Sequence, residues 1–151
     1  MKIYTSYFAQ LRKFPRNLVP LSTAAWPPKF FGTPETQHRD NRGIILGLNI
    51  PPFRPGKTCE GLCFGDCNPK HPQDCAFLKV YRQQLDKIDI NKVIANLNKM
   101  SEKIKENEHL DDVDFALMVY ETPTNPCSER VVIQQWFKDN GVEVNEWASL
   151  V

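Results

Sequence analysis

The pattern of hydrophobic and polar residues predicts that strands and helices alternate along the chain. Residues 2–7 and 18–22 are rich in β-branched and aromatic side chains, which favours two short strands. Residues 9–14 predict a short helix between them, and residues 44–50 predict a third strand. The intervening stretch, residues 25–41, is irregular and holds several prolines and aromatic residues, which is typical of a packed loop.

Two amphipathic helices are predicted in the middle of the chain. The first covers about residues 74–87, and the second begins near Asp89, whose carboxylate can accept hydrogen bonds from the free N–H groups of a first turn. Apolar residues recur at helical spacing along the second helix and predict one buried face. They are Ile90, Val93, Ile94, Leu97, Met100 and Ile104.

The last third of the chain predicts a central strand, a helix and a short final strand. Residues 114–120 are apolar on both faces after the first position, which is typical of a parallel strand covered on both sides. Residues 128–140 predict a helix with Gly141 at its C-terminal cap. Residues 142–147 alternate between apolar and polar side chains, as an edge strand does.

The order of these elements predicts the fold class. Alternating strands and helices favour an α/β fold, here a three-layer-like domain with a small, largely parallel central sheet flanked by helices. We expect residues 1–151 to form one such domain, with a cysteine-rich loop inserted at about residues 54–75. We find no internal repeat.

Charge and composition argue against a secreted protein, a membrane protein and a protein drawn to nucleic acid by its net charge. The chain has 19 Lys and Arg residues against 18 Asp and Glu residues, a net charge of +1, which gives no strong field toward nucleic acid or anionic lipid. The N-terminus lacks the apolar core of a signal peptide, and no apolar run is long enough to span a membrane. We therefore predict a cytoplasmic protein with reduced cysteines and no membrane partner. Several basic residues of the N-terminal third form either a solvated surface, which we favour, or a local basic patch: Lys2, Arg12, Lys13, Arg16 and Lys29.

Two segments carry a resemblance to a known family. Residues 116–137, ALMVYETPTNPCSERVVIQQWF, resemble the signature of the DUF488 family, in which an apolar strand ends in Glu and a Cys-His-Arg triplet opens a helix. Residues 2–31 are similar to the family's opening, with a Pro-Lys-aromatic element at residues 28–30. Residues 127–130 read Cys-Ser-Glu-Arg, so the family's histidine has no counterpart here. The resemblance implies a small intracellular α/β domain with a pocket at the cysteine turn, and it names no reaction.

The turn between the central strand and the last helix holds the candidate catalytic residues Glu121, Cys127 and Arg130. A thiol at the start of a helix is near unpaired N–H groups and the positive end of the helix dipole, which favour the thiolate. Arg130 adds a positive charge one turn later. The alternative is structural: Cys127 packs into the core, and Glu121 caps the loop or pairs with Arg130. Whether the chain is an enzyme stays open at this point.

In an open parallel sheet, ligands bind beyond the carboxyl ends of the strands, where the strand order reverses. We expect a small anionic or nucleotide-like ligand there, bound by Ser6, Tyr7, Ser22, Thr23, Lys29 and Ser128. The protein would then be either an enzyme or a non-catalytic protein that sequesters a nucleotide signal. Four aromatic residues either wall this pocket by stacking or belong to the core, which we favour: Trp26, Phe30, Phe31 and Phe53.

The cysteine-rich loop supplies a candidate metal site. Its thiols and imidazole recur every fourth residue, and zinc prefers such ligands, although structural zinc sites usually use a tighter Cys-x-x-Cys spacing. The candidate ligands are Cys59, Cys63, Cys67, His71 and Cys75. The alternatives are a loop of reduced thiols and a redox-sensitive pair. A metal-stapled loop would favour a third function, that of a protein-interaction module.

Overall fold

A computed structural model describes residues 1–32, 38–62, 68 and 70–148. The strands are β1 (Ile3–Tyr7), β2 (Leu18–Ser22), β3 (His38–Arg39), β4 (Ile45–Leu46), β5 (Asp114–Val119) and β6 (Asn145–Glu146), and the α-helices are α1 (Ala76–Leu85), α2 (Ile90–Glu108) and α3 (Glu129–Asp139). Short 3-10 helices cover Phe8–Lys13, Pro51–Phe53, Lys57–Cys59 and Pro72–Asp74. Within these ranges, no helix combines the length and the apolar character needed to cross a membrane.

Four strands form a parallel sheet in the order β2-β5-β1-β6. Strand β5 pairs along its length with both β1 and β2, from Ile3 opposite Phe115 to Tyr7 opposite Val119 on the β1 side. The predicted α/β class with a parallel sheet is confirmed, and β5 is the buried central strand that its apolar sequence predicts. Strands β3 and β4 form a separate antiparallel pair.

The two faces of the sheet carry different layers. Phe115 and Leu117 of β5 face a core cluster to which all three α-helices contribute, with Trp136 of α3 almost fully buried in it. Ala116 and Met118 face the other way, into a cluster built from the 3-10 helix Phe8–Lys13, the loop after β2 and strand β4. Because strand side chains alternate, one central strand supports both layers.

The helix ends follow the signals in the sequence. Asp89 accepts a hydrogen bond from Asn91 N at 2.9 Å at the start of α2, as predicted. Ser128 does the same for Arg130 N at 3.2 Å at the start of α3. Gly141 follows α3 with a φ of 79°, and its N–H bonds to a carbonyl of the last turn, so the predicted C-terminal stop is confirmed.

The predicted third strand, residues 44–50, is wrong in extent, since only Ile45–Leu46 is a strand. Gly47 interrupts it with a φ of 101°. A Cβ atom at Gly47 would lie 2.6 Å from the Gly32 carbonyl oxygen, so the two backbones approach too closely for any other residue. The predicted final strand, residues 142–147, shortens in the same way to Asn145–Glu146.

Strands β1 and β5 are neighbours in the sheet, and the chain segments that follow them lie on opposite faces of the sheet. The chain after β1 enters the 3-10 helix Phe8–Lys13 on one face, and the chain after β5 leads into α3 on the other. This reversal opens a crevice at the carboxyl ends of the two strands, which is where open α/β sheets bind ligands.

Candidate functional site

The predicted catalytic and ligand-binding residues gather at the carboxyl edge of the sheet, except for one. Ser6 and Tyr7 end β1, Ser22 and Thr23 end β2, Glu121 follows β5, and Cys127, Ser128 and Arg130 lie at the start of α3. Lys29 lies further along the loop after β2, with its side chain exposed. The topology therefore brings most of these residues to one edge of the molecule.

Several of the predicted hydroxyl groups are used to hold the loops. Thr23 Oγ1 donates to the Met118 carbonyl oxygen at 2.8 Å, and Ser22 Oγ accepts from Ala24 N at 3.2 Å. Ser128 Oγ caps α3 and donates to Glu121 Oε2 at 3.1 Å. Because these groups are bonded within the protein, they shape the edge of the sheet, and their contact with a ligand stays a prediction.

Arg130 is the centre of a buried polar network and is only 3% exposed. Its Nε donates to Glu146 Oε1 at 2.6 Å, and its Nη2 donates to the Glu121 carbonyl oxygen at 2.7 Å. The guanidinium carbon lies 5.7 Å from the centroid of the Tyr7 ring. Two sides of the guanidinium are thus engaged by the protein, and Arg130 joins β5, α3 and β6.

The network continues into β1. Thr5 Oγ1 donates to Glu146 Oε1 at 2.8 Å and accepts from Gln134 Nε2 at 2.6 Å. Arg130 Nη1 and Glu146 Oε2 are buried and have no hydrogen-bond partner among the described residues. Ser6 Oγ, which we predicted to contact a ligand, is also buried and has no hydrogen-bond partner among the described residues. The sequence pointed to Arg130 but gave no sign of Glu146 or Thr5.

The structure corrects the prediction of a free thiol at the start of α3, because Cys127 is disulfide-bonded. Cys59 and Cys75, the other two cysteines that the structure describes, are free. The Cys127 sulfur lies 3.7 Å from the Asn68 carbonyl oxygen, which places Asn68 against the start of α3. A disulfide sulfur is not a thiolate, so thiol chemistry at Cys127 requires prior reduction.

We expect alkylation to distinguish the cysteines. If the denatured, non-reduced protein is treated with iodoacetamide, Cys59 and Cys75 should be labelled, and Cys127 should be labelled only after reduction. Peptide mass spectrometry reads each position separately. Complete labelling of Cys127 before reduction would show that the sulfur is a thiol and would restore the original prediction.

The predicted metal site is described only in part. Among the residues that the structure describes, no three His, Cys, Asp or Glu side chains cluster as metal ligands. Cys59 is buried within 3.8 Å of Gln84 Oε1, and Cys75 precedes α1. Cys63 and Cys67 lie outside the described residues, so zinc binding by this loop, His71 included, stays a prediction.

A cleft of about 570 Å³ opens at the carboxyl ends of β2 and β5. Its lining combines aromatic, basic and acidic side chains, chiefly Trp26, Arg54, Lys57, Cys59, Glu60, Tyr120 and Glu129. We refer to it as the Glu129 cleft. Trp26 is 83% exposed and Tyr120 is 53% exposed, which is unusual for such large rings. The Tyr120 hydroxyl donates to the Trp26 carbonyl oxygen and ties the two residues together.

Glu129 has an unusual electrostatic environment. Burial, assisted by the negative charge of Glu121, raises the pKa of Glu129 from 4.5 to about 7. Its own backbone N–H and Arg130 partly offset this effect. Burial also raises the pKa of the neighbouring Cys59 thiol. A carboxyl group that titrates near neutral pH in a cleft can donate or accept a proton, which is a common property of functional sites.

A second and larger cleft, of about 1030 Å³, lies on the other side of Tyr120. Its lining is mainly apolar and includes Phe8, Leu11, Phe30 and Leu46 together with the charged residues Arg12, Asp40 and Arg42. We refer to it as the Phe8 cleft. Arg42 is fully engaged, since it pairs with Asp40 at 2.8 Å and donates to backbone carbonyls of the 3-10 helix. The Phe8 cleft therefore lacks the titratable chemistry of the Glu129 cleft.

The sequence left open whether four aromatic residues wall a pocket or belong to the core, and two of them prove to be buried and two exposed. Phe31 and Phe53 are buried in the core, as we favoured, whereas Trp26 and Phe30 are exposed at the two clefts.

The sequence did not indicate Glu129 as a site residue. An acidic residue directly after a helix cap is ordinary, and nothing in the spacing shows that the cleft buries it.

Comparison with protein-family models, with curated proteins and with solved structures found no match for this chain. The resemblance to the DUF488 family accordingly stays a prediction.

Proposed function

We propose that the chain binds a small anionic ligand with a flat ring, such as a nucleotide, in the Glu129 cleft. The observation that carries this proposal is the lining of the cleft, where exposed Trp26 and Tyr120 lie beside Arg54 and Lys57 at the carboxyl edge of a parallel sheet. Such an edge is the usual ligand site of open α/β folds. The proposal concerns binding and includes no thiol chemistry, because Cys127 is disulfide-bonded.

The basic residues of the cleft are available to an anion. Lys57 is exposed and makes no ion pair among the described residues. Arg54 donates one hydrogen bond, from Nη2 to the Ala25 carbonyl oxygen at 2.7 Å, which fixes its side chain, and no carboxylate of the described ranges pairs with its charge. A positioned guanidinium and a mobile ammonium are a common pair of phosphate contacts.

The aromatic residues suit the ring of the ligand. A nucleobase that stacks on an exposed aromatic side chain gains about 1–3 kcal/mol, largely independent of which base it is. Trp26 offers the largest ring, and its hydrogen bond from Tyr120 holds its backbone in place. Arg54 and Lys57 line the same cleft as Trp26, so they are the candidate partners for a phosphate attached to a ring that stacks on Trp26.

Glu129 makes the proposed binding depend on pH. Below about pH 7 its carboxyl group is largely neutral and can donate a hydrogen bond, whereas above pH 7 it is an anion that repels a phosphate. We therefore expect the affinity for an anionic ligand to fall as the pH rises through 7.

The test uses cyclic AMP, whose phosphodiester keeps one negative charge across this range, and isothermal titration calorimetry at about pH 6 and about pH 8. We expect binding at the lower pH and weaker binding at the higher pH. Glu129→Gln should remove the pH dependence, and Lys57→Ala should weaken binding by about fivefold or more. Lys103→Ala, an exposed lysine on α2, is the matched control and should bind as the parent does. Absence of binding, or equal binding by the two lysine variants, would contradict the proposal.

A further inference from the structure

Three exposed aromatic side chains follow one another along the carboxyl edge of the sheet. Trp26 and Tyr120 are joined by their hydrogen bond, and the Tyr120 ring packs on Phe8 with centroids 4.9 Å apart. Phe8 also contacts Phe30, with ring centroids 6.5 Å apart. Phe30 is 52% exposed, although Phe8, on which it packs, is buried. We call Trp26, Tyr120 and Phe30 the aromatic row.

The aromatic row connects the two clefts. Tyr120 lines both the Glu129 cleft and the Phe8 cleft, while Trp26 belongs to the first and Phe30 to the second. The row crosses the crevice between β1 and β5, because Phe8 follows β1 and Tyr120 follows β5. A ligand that stacks on the whole row is therefore longer than one nucleotide.

Basic side chains flank the row at both ends. Arg12 lines the Phe8 cleft and Lys29 is adjacent to Phe30, while Arg54 and Lys57 line the Glu129 cleft. In the described part of the chain none of these four pairs with a carboxylate. Asp40 of the Phe8 cleft is neutralised by Arg42, whereas the Glu129 cleft also carries the exposed acidic side chain of Glu60.

We infer that the aromatic row and its flanking basic residues form a binding surface for a short single-stranded nucleic acid, with bases on the rings and phosphates on the cations. This inference extends the proposed function, since one base occupies the Glu129 cleft. Aromatic platforms between basic side chains are the general means by which proteins bind single strands without sequence preference. The net charge of +1 is compatible with this surface because the unpaired cations are local to it.

A protein segment is the other occupant that an aromatic surface could take. The basic residues at both ends of the row favour the nucleic acid, because its repeating phosphate groups can contact each of these side chains. The chemistry of the row also sets the expected selectivity. Duplex DNA hides the faces of its bases, so we expect a single strand to bind and a duplex to bind poorly.

The test measures fluorescence anisotropy of a labelled single strand of about six deoxyadenylates, with cyclic AMP titrated in parallel. We expect the single strand to bind about tenfold or more tightly than cyclic AMP. Phe30→Ala should weaken single-strand binding by about fivefold or more and leave cyclic AMP binding unchanged, because Phe30 lies outside the Glu129 cleft. Val131→Ala is the control, since Val131 is an apolar residue of α3 that is 44% exposed and is not among the residues that line the Glu129 cleft or the Phe8 cleft.

Arg12→Ala gives a second measurement that does not disturb the aromatic packing. It should reduce the slope of log affinity against log salt by about 0.7, the effect of one phosphate contact. If the single strand binds no more tightly than cyclic AMP, or if Phe30→Ala and Arg12→Ala behave like Val131→Ala, this inference is overturned while the proposed function stands. If cyclic AMP fails to bind as well, both proposals fall.

Discussion

Replacing Arg130 by methionine is expected to lower the free energy of unfolding by about 3–5 kcal/mol, the usual cost of removing one partner of a buried ion pair. Methionine fills a similar volume but leaves the partly buried Glu146 carboxylate with only the Thr5 hydroxyl as a partner among the described residues. It also leaves the Glu121 carbonyl oxygen without its donor. Urea unfolding followed by circular dichroism measures the loss.

Arg82→Met is the matched control for this experiment. Arg82 also bridges two elements, pairing with Asp86 at 2.8 Å and Asp139 at 2.7 Å, but its partners are exposed. Exposed pairs contribute about 0–1 kcal/mol, so the control should lose far less stability. Combining Arg130→Met with Glu146→Gln should recover part of the loss because the uncompensated charge is gone. Equal losses for Arg130→Met and Arg82→Met would show that the buried network has no special energetic role.

The same network shows where reasoning from the sequence ends. The motif identified Arg130 because it follows a cysteine at the start of a helix, and the structure does place it at the carboxyl edge of the sheet. Its partner Glu146 is 16 positions away and Thr5 is in the first strand, so no local pattern connects them. Only the parallel pairing of β1 with both β5 and β6 brings these side chains together.

The regular elements were predictable because their signals are local. An apolar run of the length of β5 has no stable position except the middle of a parallel sheet, and the helical spacing of α2 defines its buried face. The misassigned strand at residues 44–50 has the composition of a strand. It is interrupted because Gly47 passes close to the backbone of Gly32, a contact that depends on the whole loop after β2.

The clefts were not predictable for a related reason. The sequence treated Trp26, Phe30, Phe31 and Phe53 alike, and burial then separated two core rings from two exposed ones. Burial depends on which side of the sheet each loop crosses. Tyr120 shows the same dependence, since it continues a strand whose other residues are buried and becomes exposed only where the sheet ends.

Glu129→Gln is expected to change how stability depends on pH. The pKa of Glu129 is about 7 in the folded protein against 4.5 for an ordinary glutamate, so the folded state holds its proton more tightly than the unfolded state does. Stability therefore falls as the pH rises from about 4.5 to about 7, and the cost is fully present above that range. The shift corresponds to about 3 kcal/mol at most, and because the cleft is open to solvent we expect about 1–3 kcal/mol.

Glutamine keeps the shape of Glu129 without its charge, so the variant should lose this pH dependence. Relative to the parent protein, Glu129→Gln should gain about 1–3 kcal/mol on going from about pH 5 to about pH 8. The substitution also removes the favourable interaction of a carboxylate with the start of α3, which changes the free energy of unfolding itself. We therefore compare the change in that free energy between the two pH values, in the variant and in the parent protein. Glu106→Gln, an exposed position on α2, should show no such gain. An unchanged pH dependence in Glu129→Gln would mean that Glu129 ionises as an exposed glutamate does, and the pH-dependent part of the proposed binding would fall with it.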